Sequence, residues 1–260
     1  MKAQAFRRHR LAPIAVALFG LLIAGLLYAV LSPQTAQASG DVASVDDVAE
    51  GEALFQANCA TCHGSSAQGR ADGPSLVGVG AAAVHFQVST GRMPMQAHGP
   101  QAPAKTPQFN EEQTLQLAAF VASLGAGPSI PTEDMVNPEL GDPANGMALF
   151  RTNCAMRHNA VGKGGALSNG KWAPSLVDTS PTAIYEAMLT GPQSMPAFND
   201  VNITPEGKRD IIAYIAEQQK GSPGGNDIGS LGPVGEGVWA WILGMGLLIG
   251  ATVWVGSRSS

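Results

Sequence analysis

The sequence predicts a mainly α-helical protein with two tandem domains of related sequence and an apolar helix at each end. Two apolar runs without charges, residues 11–31 and 238–255, lie near the ends of the 260-residue chain. A repeated pattern fills the segment between them. Each copy of the repeat closes with a stretch whose apolar residues recur at helical spacing.

The first apolar run follows four basic residues within the first ten, which predicts a cytoplasmic N-terminus. Residues 1–38 have two interpretations. A secretory signal would be cleaved near residues 36–38, but its apolar region normally spans about 7–15 residues. This run is long enough to cross a bilayer, which favours an uncleaved anchor.

The second apolar run predicts a transmembrane helix over residues 238–256. Trp239, Trp241 and Trp254 lie near its ends, where interfacial aromatic residues are common. If both runs span, the protein is multi-pass in the cell membrane with both termini cytoplasmic. Residues 40–225 then lie on the extracytoplasmic side.

The repeat defines the domains. Residues 51–64 match residues 146–159 at eight of fourteen positions, and "GPSLV" at 73–77 corresponds to "APSLV" at 173–177. The predicted boundaries are domain 1 at 45–126, a linker at 127–140, domain 2 at 141–220 and a linker at 221–237. The linkers are assigned because Pro and Gly interrupt them and predict no folded element there.

Helix-capping residues and aromatic residues support this division. Asn110 and Gln113 have capping-box spacing before the closing helix of domain 1, and Thr204 followed by Pro205 begins that of domain 2. Four aromatic residues are predicted to pack the first helix of each domain against its last: Phe55, Phe120, Phe150 and Tyr214.

The stretch "CATCH" at residues 59–63 predicts a covalent haem. Cys59 and Cys62 would add to the two haem vinyl groups, and His63 on the same turn would bind the iron. A zinc site would need more thiols or histidines, and a thioredoxin-like pair would follow a strand. A disulfide is the other alternative.

The second copy reads "CAMRH" at residues 154–158. Cys154 and His158 keep their places, but Arg157 replaces the expected second cysteine. Because arginine forms no thioether, we expect the second haem to be singly linked or noncovalent.

A methionine is expected as the second axial ligand of each iron. Met195 of "GPQSMPAF" is the candidate in domain 2. In domain 1 the Met-Pro dipeptide selects Met93, whereas a constant offset of a hundred residues between the copies selects Met95. Pro94 would rigidify the presenting turn, which favours Met93. His85 and His98 are interpreted as loop histidines and not as ligands.

Other function classes have weaker support. The formal net charge of -5 gives no global basic field, so nucleic acid is not expected as a partner. No group of catalytic side chains or phosphate-binding loop stands out. No catalytic residue is therefore predicted.

These motifs resemble tandem class I cytochrome c domains. With the two apolar ends, the whole chain more closely resembles the dihaem cytochrome c subunit of the actinobacterial menaquinol cytochrome bc complex. "TGRMP", "APSLV" and "TGPQSMPAF" are the most specific marks. The resemblance implies two haems c and an electron-transfer role within a proton-translocating quinol–cytochrome c oxidoreductase.

The implied partners are the Rieske iron–sulfur and cytochrome b subunits, an aa-type oxidase in one supercomplex of the aerobic respiratory chain, and the lipid membrane. Two alternatives remain open. One is an electron-input subunit of another, cbb-like oxidase, and the other is a haem peroxidase or ligand sensor in which one iron lacks its methionine.

Overall fold

The computed structural model describes residues 12–31, 44–97, 99–220 and 233–258. Helices dominate this described part of the chain, which confirms the predicted mainly α class. Helix α1 (Ala12–Leu31) belongs to a separate compact unit, and its side chains are exposed over residues 13–25.

The first domain is a small helical unit. Its helices are α2 (Val45–Asn58), α3 (Ala60–His63), α4 (Ala81–Ser89) and α5 (Glu111–Ser123). Asn110 accepts from the backbone N–H of Gln113, whose side chain accepts from the N–H of Asn110, as the predicted capping box requires.

The second domain repeats this order with additions. Its elements are α6 (Glu133–Val136), a 3₁₀ turn (Pro138–Leu140), α7 (Pro143–Asn153), α8 (Ala155–His158), β1 (Gly165–Ala166), β2 (Trp172–Ala173), α9 (Pro181–Thr190) and α10 (Pro205–Gln219). The two strands are antiparallel. Thr204 caps α10 ahead of Pro205, as predicted.

The first and last helices of each domain pack through an aromatic pair. The ring centroids of Phe55 and Phe120 are 5.2 Å apart, and those of Phe150 and Tyr214 are 5.3 Å apart. All four side chains are buried, which confirms their prediction as core residues.

A glycine allows these helices to approach closely. A Cβ at Gly51 would lie 2.0 Å from the backbone oxygen of Gln116 in α5. A Cβ at Gly146 would lie 1.8 Å from the backbone oxygen of Asp210 in α10. The shared glycine of the repeat is therefore required by packing.

The prediction that the first linker contains no folded element is wrong. Residues 133–136 form α6, and Asn137 accepts from the N–H of Glu139 at the start of the 3₁₀ turn. Met135 packs against the core of the second domain. At the other end of the linker, Pro128 accepts from the N–H of Ala82 in the first domain. Local capping and these contacts outweigh the Pro and Gly content.

Helix α11 (Pro233–Arg258) contains the one span, Gly237–Arg258, that is long and apolar enough to cross a membrane within the described residues. Its tryptophans at 239, 241 and 254 are exposed. The apolar segment Pro13–Gly25 of α1 is shorter. The N-terminal span therefore stays a prediction.

Candidate haem sites

The first predicted site is a single helical turn. The backbone N–H groups of Cys62 and His63 donate to the carbonyl of Cys59 at 3.1 and 3.0 Å. Cys59 is half-buried, Cys62 is exposed, and both are free thiols. The turn brings two sulfurs and one imidazole close together in the chain and in space.

A backbone carbonyl orients the imidazole of His63. Its Nδ1 lies 2.8 Å from the oxygen of Pro74. A carbonyl can only accept, so Nδ1 donates in this contact, and Nε2 is the ring nitrogen that remains for a metal. A Cβ at Gly73 would lie 3.1 Å from Nδ1, so the small residue allows this approach.

The two candidate methionines of domain 1 differ in their surroundings. Met93 packs against the domain core, and its N–H donates to Gln87 at 2.9 Å. Met95 is exposed. The peptide between Met93 and Pro94 is cis, and Lys105 donates to the Pro94 carbonyl at 2.8 Å. This placement favours Met93 as the ligand, in line with the Met-Pro argument.

The second site has the same backbone geometry. The N–H groups of Arg157 and His158 donate to the carbonyl of Cys154 at 3.0 and 2.9 Å. His158 Nδ1 lies 3.0 Å from the oxygen of Pro174, which again leaves Nε2 as the free ring nitrogen. Replacement of the second cysteine by arginine has not disturbed this turn.

Burial controls the electrostatics of both sites. It raises the pKa of the Cys154 thiol to about 11, against the opposing charge of Arg157. Burial, and after it the neighbouring Cys62, raise the pKa of Cys59 to about 11. Burial also lowers the pKa of His158; the hydrogen bond to Pro174 opposes this shift and Arg157 adds to it. His158 is therefore held as a neutral imidazole, the form that binds iron.

A cavity of about 430 Å³ lies at the second site. Cys154, His158 and Met195 all line it, and so does Arg157. Most of the remaining wall is apolar, with Leu176 and residues of α9 and α10. This volume lies in the range of cofactor pockets. A thiol, an imidazole and a thioether in an apolar cavity fit a haem, whose macrocycle is apolar.

The first domain forms part of this cavity. The residues that it contributes to the wall are Phe86, Thr90, Arg92, Gln101 and Ala104. The sequence analysis assigned each haem to one domain and did not predict this arrangement. These residues belong to no periodic pattern or ligand motif that relates them to the other domain.

Two glutamines join the domains beside the cavity. Gln101 Nε2 donates to the carbonyl of Trp172 at 2.9 Å, and the N–H of Trp172 donates back to Gln101 Oε1 at 3.0 Å. Gln193 makes the reciprocal pair with Ala102, at 3.0 and 3.1 Å. Each glutamine satisfies one N–H and one C=O of the opposite domain.

The prediction that His85 lies in a loop is wrong. It is buried on α4 and joins the domains, with its Nδ1 2.7 Å from Oε1 of the fully buried Glu186 on α9. Its Nε2 lies 3.5 Å from Glu111. Helical continuity from Ala81 to Ser89 outweighs the glycines that flank this segment. His98 lies outside the described residues.

Family models match both domains. Residues 48–125 match the model described as "Cytochrome c", and residues 141–215 match the one described as "Cytochrome C oxidase, cbb3-type, subunit III". Two cytochrome c domains are therefore present, as predicted.

Relatives match almost the whole chain. The protein named "Cytochrome bc1 complex cytochrome c subunit" in Corynebacterium efficiens is 46% identical over 92% of this chain and 86% of its own length. Its namesake in Mycobacterium tuberculosis is 46% identical over 97% of this chain and 92% of its own length. By contrast, the cbb3-type cytochrome c oxidase subunit FixP of Rhizobium meliloti is 39% identical over only 31% of this chain and 28% of its own length. Identity that extends over both domains and the terminal segments, and not over one domain alone, shows that this chain belongs to the family of cytochrome bc1 complex cytochrome c subunits.

Proposed function

We propose that this chain takes electrons from the Rieske iron–sulfur protein of a menaquinol cytochrome bc complex and delivers them to the copper centre of an aa-type oxidase. The observation that carries the proposal is the pair of Cys-turn-His sites in one chain, each with its histidine Nδ1 bonded to a proline carbonyl. The printed names of the relatives support the partnership with the other subunits of a bc complex.

The ligand set suits electron transfer. His63 and His158 would hold iron through Nε2, and Met93 and Met195 would supply the second protein ligand of each iron. When bound, the two haems c supply a reversible one-electron couple. With both protein ligands bound, the iron would have no coordination position for a substrate, which favours electron transfer over catalysis at the iron.

The two sites differ in covalent attachment. In the first, the thiols of Cys59 and Cys62 would each form a thioether with one vinyl group of the haem. In the second, Cys154 supplies the one available thiol. Retention of the second haem would therefore depend more on noncovalent contacts. Because Arg157 cannot substitute for a thiol, we expect weaker retention of the second haem.

Membrane anchoring suits this role. The span at Gly237–Arg258 would hold the domains on the extracytoplasmic side at high effective concentration beside their redox partners. Proton translocation would belong to the complex as a whole, and this chain would supply its electron output.

Intact mass and acid-acetone extraction of the purified chain test the haem assignment. We expect two haems in the native wild type, with the first haem retained after extraction. The C154S variant should lose any covalent link to the second haem, and R157C should gain a second thioether there. A native wild-type chain with a single haem, or one that retains no haem after extraction, would contradict the haem assignment.

The oxidase partner needs a separate test. The match of residues 141–215 to a cbb3-type subunit favours a second candidate, an electron-input subunit of a cbb-like oxidase. Purification of the tagged chain in mild detergent should recover the bc subunits together with an aa-type oxidase. Recovery of a cbb-type oxidase without bc subunits would support the second candidate. Carbon monoxide binding to the native reduced chain would instead favour the peroxidase or sensor class.

A further inference from the structure

A cation from the first domain lies at the cavity of the second. Within the described part of the chain, two residues with a permanent positive charge line this cavity, Arg92 and Arg157. Arg157 comes from α8 beside Cys154. Arg92 comes from the segment that follows α4 and precedes Met93. The two cations therefore reach the cavity from different domains.

Arg92 has an apolar neighbour and no counter-ion among the described residues. The Cζ atom of its guanidinium lies 4.7 Å from the centre of the Phe86 ring, and the residue is half-buried. No described carboxylate forms a salt bridge with it. Asp178 also lines the cavity but is exposed to solvent. A partly desolvated charge is costly unless it is paired, so this site favours an anionic ligand.

The cavity wall around Arg92 is held in place. The glutamine pairs centred on Gln101 and Gln193 fix the segment near residues 101 and 102 onto the second domain. Lys105, a few residues further on, bonds to Pro94, two residues after Arg92. Both ends of the loop from Arg92 to Lys105 are therefore tied down.

We propose that Arg92 of the first domain binds a propionate of the haem in the second domain. This inference rests on the proposed function, because it requires a haem at Cys154 and His158. A thioether from Cys154 would place the vinyl edge of the macrocycle beside Cys154 and Arg157, whereas the propionates of a haem leave from the opposite edge. Arg92 is then the cation left to pair with them, and its planar fork matches a carboxylate.

The consequence is that the second haem links both domains. With at most one thioether, its retention depends on noncovalent contacts, of which this ion pair is one. The positive charge of Arg92 would also disfavour the ferric state, which carries one more positive charge than the ferrous state. Removal of this charge should therefore lower the midpoint potential of the second haem.

A redox titration of the detergent-purified holo-protein, followed by absorbance, tests the proposal. Each haem is first assigned by its methionine: the second is the one that loses its thioether-to-iron charge-transfer band in M195A. R92Q should lower the potential of that haem, and R92K, which keeps the charge, should lower it less. R151Q is the matched control, because Arg151 is exposed on α7 and does not line the cavity. The second haem of R151Q should have the same midpoint potential as that of wild type.

Haem retention gives a second measurement. In a C154S background, where no thioether holds the second haem, R92Q should accelerate its transfer to apomyoglobin by roughly tenfold, as the loss of one charged hydrogen-bonded pair predicts. R151Q in the same background should not change this rate.

The outcomes separate the two proposals. If wild type binds two haems but R92Q and R151Q give equal potentials, the role of Arg92 is wrong and the electron-transfer function stands. A shift confined to the haem that depends on Met93 would also overturn the proposal. If wild type has no haem that depends on Met195, the assignment of a second haem is wrong. The proposed role of Arg92 is then wrong as well.

Discussion

At the scale of single residues, the proline of "GPSLV" and "APSLV" has a clear role in both sites. The carbonyls of Pro74 and Pro174 accept from Nδ1 of His63 and His158. This hydrogen bond fixes both the tautomer and the ring orientation of each histidine. The proline of the repeated tetrapeptide "PSLV" therefore orients the candidate ligand histidine from sixteen residues away in the second site and from eleven in the first.

The choice between Met93 and Met95 is testable by substitution. We expect M93A to abolish the thioether-to-iron charge-transfer band of the first haem, because Met93 packs against the domain core. M95A should retain the band, since Met95 is 39% exposed. Absorbance spectra of the oxidised proteins are the measurement. The reverse result would show that Met95 is the ligand.

The pair of His85 and Glu186 predicts a pH-dependent contact between the domains. Burial alone lowers the pKa of His85, but the hydrogen bond and charge of Glu186, with the charge of Glu111, outweigh it and raise the pKa above 6.5. Burial raises the pKa of Glu186, although His85 opposes this shift. Both groups thus bind protons more tightly in the folded state. The contribution of His85 to stability is fully present below its unfolded pKa and is lost as pH rises through its folded value, whereas that of Glu186 is fully present only below the lower unfolded pKa of a glutamate.

Thermal unfolding of the holo-protein from about pH 6 to about pH 9 measures this effect. Wild type should lose stability relative to H85Q as pH rises, and H85Q should show a flatter profile. E111Q is the control: Glu111 has a 73% exposed side chain and lies 3.5 Å away, so its loss should change the profile little. Identical profiles for wild type and H85Q would contradict the prediction.

At the scale of helices, the glycine of each repeat determines how closely the first and last helices approach. In the second domain, a Cβ at Gly146 would be 1.8 Å from the oxygen and 2.4 Å from the carbon of the Asp210 carbonyl. These are backbone atoms of α10, so the clash cannot be relieved by a side-chain rotation. The helices themselves would have to separate.

G146A should therefore destabilise the second domain by about 1–3 kcal/mol or more. G207A is the matched control, because the nearest atoms to its new Cβ are side-chain atoms of Leu149, Ile203 and Thr204, at 3.1, 3.2 and 3.5 Å. Alanine favours a helix over glycine by about 1 kcal/mol, so G207A should stay near wild-type stability. Urea unfolding followed by circular dichroism compares them. Equal stability of both variants would mean that the helices do not approach this closely.

Sequence reasoning predicted local features of these elements well and distant ones poorly. The caps at Asn110 and Thr204 depend on neighbours within three residues, and the structure confirms both. The turns at Cys59 and Cys154 are equally local. By contrast, the contact of His85 with Glu186 joins residues 101 positions apart, and no spacing rule relates them. The short helix α6 was missed because proline and glycine surround it and because no side-chain cap marks its start.

At the scale of the whole molecule, the two domains form a joint structure around the second cavity. The buried pair on α4 and α9 and the reciprocal glutamine contacts lie between them. An interface with so many specific polar contacts favours one relative orientation. Electron transfer between the sites would then occur at a fixed separation.

Membrane topology is the prediction at this scale. V201C should react with a membrane-impermeant maleimide in intact, wall-stripped cells, because Val201 is 92% exposed and its domain is predicted to be extracytoplasmic. S260C, at the predicted cytoplasmic C-terminus, should react only after permeabilisation. Labelling of the unmodified chain gives the background. Protection of V201C in intact cells, with labelling after permeabilisation, would reverse the predicted topology.

The glutamine contacts affect how freely this molecule can change during evolution. Gln101 and Gln193 bind the main chain of Trp172 and Ala102, and every residue except proline offers the same N–H and C=O groups. The side chain at 172, which is 39% exposed, can therefore drift while the opposite glutamine keeps its partner. We expect homologues to vary at position 172 and to retain a side-chain amide at position 101. The arrangement of the two domains would then be conserved while many of the surrounding surface residues change.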